Sequence, residues 1–187
     1  QNGRLRLVQA GSGREKLLFP QPVGEIYVYH LGHPEPVTIP RFIKARNVTL
    51  KGGLSEEELN QVARLLTRLR LTSTAERKER VGKVVKALSP LLFRLGKPDE
   101  PCSAVRVDVT GVKGGKRVQL TFGAADHMNA LTGYPLAIGA LMLGKGLISE
   151  KGVHAPESCV DPEAFLSELG RRGVGVFQGS AFENRIN

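Results

Sequence analysis

The stretch AVRVDVTGVKGGKRVQLTFGAAD, residues 104–126, constrains the fold more than any other part of the chain. Val105, Val107 and Val109 alternate with Arg106, Asp108 and Thr110, which is the period of a half-buried strand. Lys113-Gly114-Gly115-Lys116 then offers a tight turn, and Val118, Leu120 and Phe122 return with the same period. The pattern predicts a long antiparallel hairpin with one apolar face, and that face must lie on helices.

The other segments supply both kinds of element. Alternation predicts strands at Arg4–Gln9 and Gly24–His30, with a further strand at Arg46–Lys51 and a last one at Val174–Gln178. Gly11-Ser12-Gly13 begins like the phosphate-cradling turn of a dinucleotide site, which needs G-x-G-x-x-G and then a helix. Here the third position is Lys16, and Pro20 and Pro22 follow, so the glycines read as a loop between extended segments. Pro34, Pro36 and Pro40 shape another loop with at most one short helical turn near Thr38–Ile43.

Ser55 and Glu58 form a capping box, after which Leu59, Val62, Leu65, Leu66 and Leu69 mark one helical face. A second helix is expected from Thr74 or Ala75 to about Leu95, with Val81, Val84, Val85 and Leu88 inward and Pro90 kinking or dividing it. A third begins at Thr132–Pro135 and is apolar on nearly every side, which predicts burial all round or tight packing against another element. A fourth opens at Asp161-Pro162-Glu163 and ends at Gly170–Gly173. Strands mixed with helices around a long hairpin predict an α+β (α/β mixed) fold, an open mixed β-sheet covered by helices.

With 187 residues the chain is expected to form a single domain over 1–187. Its longest apolar run, Pro135–Leu143, falls well short of the roughly 18 residues that a membrane span needs, so no membrane partner is expected. Cys102 and Cys159 lie far apart and belong to no C-x-x-C pair, which reads as reduced thiols in a cytoplasmic protein. The start, Gln1-Asn2-Gly3, suggests a piece of a longer chain. The net charge of +9 is concentrated between Arg64 and Lys97, where ten basic residues face two acidic ones. Phe93 is the one aromatic there, so a solvated helical face, or one docked on an acidic neighbour, is favoured over nucleic-acid binding.

Four histidines, His30, His33, His127 and His154, form no metal-ligand spacing, and no G-x-S-x-G elbow is present. Polar residues gather instead in the proline-shaped loop and the strand after it: His30, His33, Glu35, Thr38, Arg41, Thr49 and Lys51. Such a loop can aim side chains at a small anionic ligand. The same residues also suit a plain loop, with Arg41 and Lys51 solvated and Thr38 capping a turn.

Two stretches resemble a known family. TGYPLAIGALMLGKGLISEKGVHAPESCVDPEAFLSELGRRGV, residues 132–174, is similar to the C-terminal part of the saccharopine dehydrogenase family, with its T-G-x-P, G-V-x-A-P-E and D-P-E-x-F-L motifs in the family's order. GHPEPVTIPRFIKARNVTLKGGLSEEE, residues 32–58, is similar to the same family's stretch around its substrate pocket. The resemblance implies a substrate-binding and dimerisation domain of a two-domain oxidoreductase of carbon-nitrogen bonds, such as saccharopine reductase or lysine dehydrogenase. It further implies NAD or NADP bound by an upstream Rossmann domain absent from this chain, an amino-acid or amine substrate, and a homodimer.

Carried over by position, the family's substrate strand matches Thr49-Leu50-Lys51-Gly52, and His33 is the polar residue nearest the family's arginine before the proline-rich turn. Lys51 in place of arginine keeps the charge but loses the planar fork that grips a carboxylate, so a substrate with fewer carboxylates than saccharopine fits as well. The substrate-binding set implied is His33, Thr38, Arg41, Thr49 and Lys51, with no cofactor-binding, metal-binding or assigned catalytic residue in the chain. Two other classes compete: a stand-alone dimerisation or ligand-binding module joined through the hairpin face and the Ala137–Leu143 helix, and a basic nucleic-acid binder acting through 64–97.

Overall fold

Gly114 and Gly115 both adopt positive φ, 57° and 76°, and so close the two-residue hairpin that the sequence predicts. In the computed structural model, which describes residues 2–54, 57–95 and 102–187, the strands β4 (Cys102–Lys113) and β5 (Lys116–His127) pair over their full length. β6 (Val176–Gln178) and β7 (Asn184–Arg185) extend this sheet in the order β4-β5-β6-β7. A second sheet, β1-β2-β3, joins β1 (Glu15–Leu18), β2 (Glu25–His30) and β3 (Lys51–Gly52). Every pairing among the described residues is antiparallel. The class is α+β, as expected, with its strands divided between two sheets instead of one mixed sheet.

Six helices are described: α1 (Glu35–Phe42), α2 (Glu57–Arg68), α3 (Ala75–Leu95), α4 (Met128–Gly144), α5 (Pro156–Cys159) and α6 (Pro162–Arg171). The core lies where α4 and α6 cover one end of the larger sheet. There Ile138 and Met142 of α4 meet Leu169 of α6, Ala124 of β5, Val174 and Val176. Asp161 caps α6 by accepting a 2.7 Å hydrogen bond from the Ala164 N–H, with Pro162 in the first turn as expected. Asn187 is tied into this unit, donating to the Leu166 and Val174 carbonyls and accepting from the Val176 N–H.

Several expectations are corrected. Arg4–Gln9 is not a strand, because no described strand lies beside it, and β1 falls at Glu15–Leu18 instead. The strand expected over Arg46–Lys51 shrinks to Lys51–Gly52. α4 begins at Met128 with Pro135 inside it, and it buries only Ile138 and Met142 while Leu136, Leu141 and Leu143 are exposed. The hairpin's apolar face meets helices only near Ala124, leaving Val105, Val107 and Val109 about half exposed. α3 runs unbroken through position 90, and Val84, Val85 and Leu88 point to solvent instead of inward. The capping box rests on Ser55 and Glu58, which lie outside the residues whose side chains are described.

Arg106 joins the two sheets. Its Nη1 donates a 2.7 Å hydrogen bond to the Leu18 carbonyl at the end of β1, while its other nitrogens grip Asp108 at 2.8 and 3.0 Å. Thr121 donates to the same carboxylate at 2.7 Å. Gly123 leaves room for this junction, since a Cβ there would sit 2.8 Å from Pro20 Cγ and collide with the Phe182 ring.

Candidate functional site

The proline-rich segment folds as a helix because of where its prolines fall. Pro36 occupies the first turn of α1, where a missing N–H costs nothing, and only Pro40 removes an internal bond. The result is an eight-residue helix, longer than the single turn expected. Val37 and Thr38 both donate to the Pro34 carbonyl, at 2.8 and 3.0 Å, and fix the entry to the helix.

Against α1 lies a cleft of about 270 Å³. One wall is α1 itself, through Pro36, Val37 and Pro40, and another is the stretch Ala45–Leu50 with Arg46, Val48 and Thr49. His30 and Leu31 at the end of β2 also line it, as do Gly3, Arg4, Leu5, Arg6 and Val8 of the segment 3–8. Backbone bonds hold that segment in place: the Gly3 N–H donates to the Arg46 carbonyl at 2.9 Å, and the Asn2 N–H to Asn47 Oδ1 at 2.7 Å. Three arginines, Arg4, Arg6 and Arg46, stand among the lining residues beside apolar walls.

Of the residues expected to bind substrate, Thr49 lines this cleft. Thr38 is half-buried on α1 outside the lining, and Arg41 is exposed on the helix's last turn. His33 stands at the mouth of α1 with Nδ1 3.5 Å from Glu35 Oε2. Lys51 on β3 reaches across β2 to β1, where its Nζ lies 2.7 Å from Glu15 Oε2. The sequence reading missed Arg4, Arg6 and Arg46. The first two were hidden in an alternation read as a strand, and the third in a strand that is mostly irregular.

Behind the cleft a polar network anchors α2 to β2. Tyr29, almost fully buried, donates its hydroxyl proton to Glu57 Oε1 at 2.8 Å, and Arg14 reaches both partners at 3.2 Å. Asn60 donates to the other Glu57 oxygen at 3.3 Å. Desolvation pushes the Glu57 carboxyl up, but the hydrogen bonds from Tyr29 and Asn60 and the Arg14 charge outweigh it and hold the group below its ordinary range. Arg14 also lies 3.6 Å above the Tyr27 ring.

The loop at Gly11-Ser12-Gly13 closes on β2, with the Gly11 N–H donating to the His30 carbonyl and the His30 N–H to the Ser12 carbonyl, each at 2.9 Å. It leads into β1 and opens no helix, a loop between extended segments as expected. Among the described residues no three His, Cys, Asp or Glu side chains gather as a metal site, and no helix is long and apolar enough to cross a membrane.

Antiparallel sheets, a helix shaped by prolines and an arginine-lined cleft define an α+β domain. Residues 25–174 match the saccharopine dehydrogenase C-terminal domain. The chain belongs to that family, which sets it in a dehydrogenase context. No solved structure matches the chain significantly.

Proposed function

We propose that this chain is the substrate-binding domain of an NAD(P)-dependent oxidoreductase that acts on the carbon-nitrogen bond of an amino acid or related amine, of the saccharopine or lysine type. The observation that supports this reading is the cleft under α1, which has Arg4, Arg6 and Arg46 among its lining residues beside Val37, Val48 and Leu31. An aliphatic amino acid fits such walls: its carboxylate meets the arginines and its methylene chain lies on Val37, Val48 and Leu31.

Arg46 holds the carboxylate, with Arg4 and Arg6 closing over it, and the Thr49 hydroxyl fixes its orientation. Arg41, Lys51, Thr38 and His33 stand at the margins and tune the charge that an incoming substrate meets. Binding and orientation are this domain's share of the reaction. The hydride carrier, NAD or NADP, is held by a domain other than this one. Calorimetric titration with saccharopine, with an α-amino dicarboxylic acid and with a diamine tests the reading: the two acids bind and the diamine does not. Equal binding of the diamine contradicts it.

A second reading, a dimerisation module, draws on the half-exposed row Val105, Val107 and Val109. Sedimentation velocity distinguishes the two, because a dimer that persists without any ligand binding leaves only this second role.

A further inference from the structure

β4 is the outer strand of the larger sheet, and no described strand pairs with its far edge. It runs for 12 residues, holds no proline and pairs with β5 in one unbroken register. Neither a proline nor a bulge therefore keeps that edge from accepting another strand. The opposite edge of the sheet is β7, only 2 residues long.

The turn at Gly114-Gly115 fixes which backbone groups face the β4 edge. In such a turn the carbonyl before the two central residues accepts from the N–H after them, so Lys113 and Lys116 are a hydrogen-bonded pair. The odd-numbered residues of β4 then bond to β5. Ala104, Arg106, Asp108 and Thr110 turn their N–H and C=O groups outward.

The side chains divide by the same period. Val105, Val107 and Val109, each about half exposed, lie on one face of the strand, and Arg106 and Asp108 lie on the other. A second β4, laid antiparallel about a twofold axis at Val107, sets Val107 against its own copy and Val105 against the partner's Val109. On the other face Arg106 meets the partner's Asp108, and the two internal Arg106–Asp108 ion pairs run head to tail. Sliding the strands by two residues keeps the valines matched but brings Arg106 onto the partner's Arg106, or Asp108 onto the partner's Asp108. Charge thus selects one register.

We propose that the β4 edge is the interface between two copies of this chain, joined antiparallel about Val107 into one continuous sheet. The pairing is self-complementary, and it leaves only the short β7 at each outer edge, so the assembly closes as a dimer. It does not depend on what the cleft binds.

The test uses the whole chain in sedimentation velocity, and the parent is expected to be a dimer. Val107→Asp and Val107→Lys each meet their own copy, so each alone is expected to weaken the dimer at least about tenfold, and an equimolar mixture of the two to restore it. Cross-linking with oxidised glutathione reads the register in a Cys102→Ser, Cys159→Ser background. Val107→Cys, with its Cα about 4.5 Å from that of its copy, should form a disulfide-linked dimer. Val105→Cys, about 13 Å from its copy along the strand, should not. A monomeric parent, a dimer unmoved by either charge, a mixture that stays monomeric, or Val105→Cys cross-linking as readily as Val107→Cys would each overturn the proposal.

Discussion

Tyr29 and Glu57 lock a strand to a helix by a polar contact: the Tyr29 hydroxyl donates to Glu57 Oε1 at 2.8 Å from a side chain only 3% exposed. The bond anchors the first residue of α2 to β2. Tyr29→Phe removes it while keeping the ring and its contact with Arg64. The expected loss is about 1 kcal/mol of unfolding free energy, read as a lower urea midpoint at unchanged slope.

Acid weakens the fold through three carboxyls. Glu57, Asp108 and Glu168 are each held below their ordinary pKa. At Glu57 and Asp108 the hydrogen bonds outweigh an upward push from burial, and at Glu168 the bond from Arg172 leads. A carboxyl whose folded pKa is depressed leaves the unfolded chain binding more protons, so its contribution is full above the unfolded value and is lost as pH falls through the folded one. Urea midpoints should therefore hold steady down to about pH 4.5 and drop below it, with a shallower drop in Glu57→Gln.

Arg106→Ala cuts the tie between the sheets. It leaves the Leu18 carbonyl and the Asp108 carboxylate without their guanidinium, and a loss of about 2 kcal/mol is expected. Arg106→Lys should recover only part of this, since an ammonium cannot reach both groups in the plane of the fork.

Ile138, 1% exposed between Met142 and the sheet, fills the core. Ile138→Ala should cost about 3 kcal/mol, and thermal unfolding measures it. Leu136→Ala, one turn edge away and 77% exposed, should leave the melting temperature nearly unchanged.

The parts of the fold legible in the sequence are those whose pattern is local. Val105–Val109 alternates and ends in two glycines, so the hairpin and its turn are readable to the residue. Asp161-Pro162 announces α6 by the same local logic. Arg4–Gln9 alternates equally well, yet a strand needs a neighbour, and the pairing edge of β2 is taken by Glu15–Leu18.

Burial was less legible than periodicity. The leucine row of α2 shows a face but not which way it turns, because Tyr29 and Gly11, which hold the polar side, lie far from it in sequence. The cleft escaped for the same reason. Arg4 and Arg46 line one cleft although they are 42 residues apart, and the bond from the Gly3 N–H to the Arg46 carbonyl joins their segments.

The most direct measurement of the central claim is calorimetric titration of the chain with saccharopine, NADH and NADPH, repeated on Arg46→Ala. Saccharopine is expected to bind, to weaken by about tenfold in Arg46→Ala and to leave both nucleotides without measurable heat. Micromolar binding of NADH or NADPH with no response to saccharopine would place the cofactor site in this chain and contradict its assignment as a substrate-binding domain.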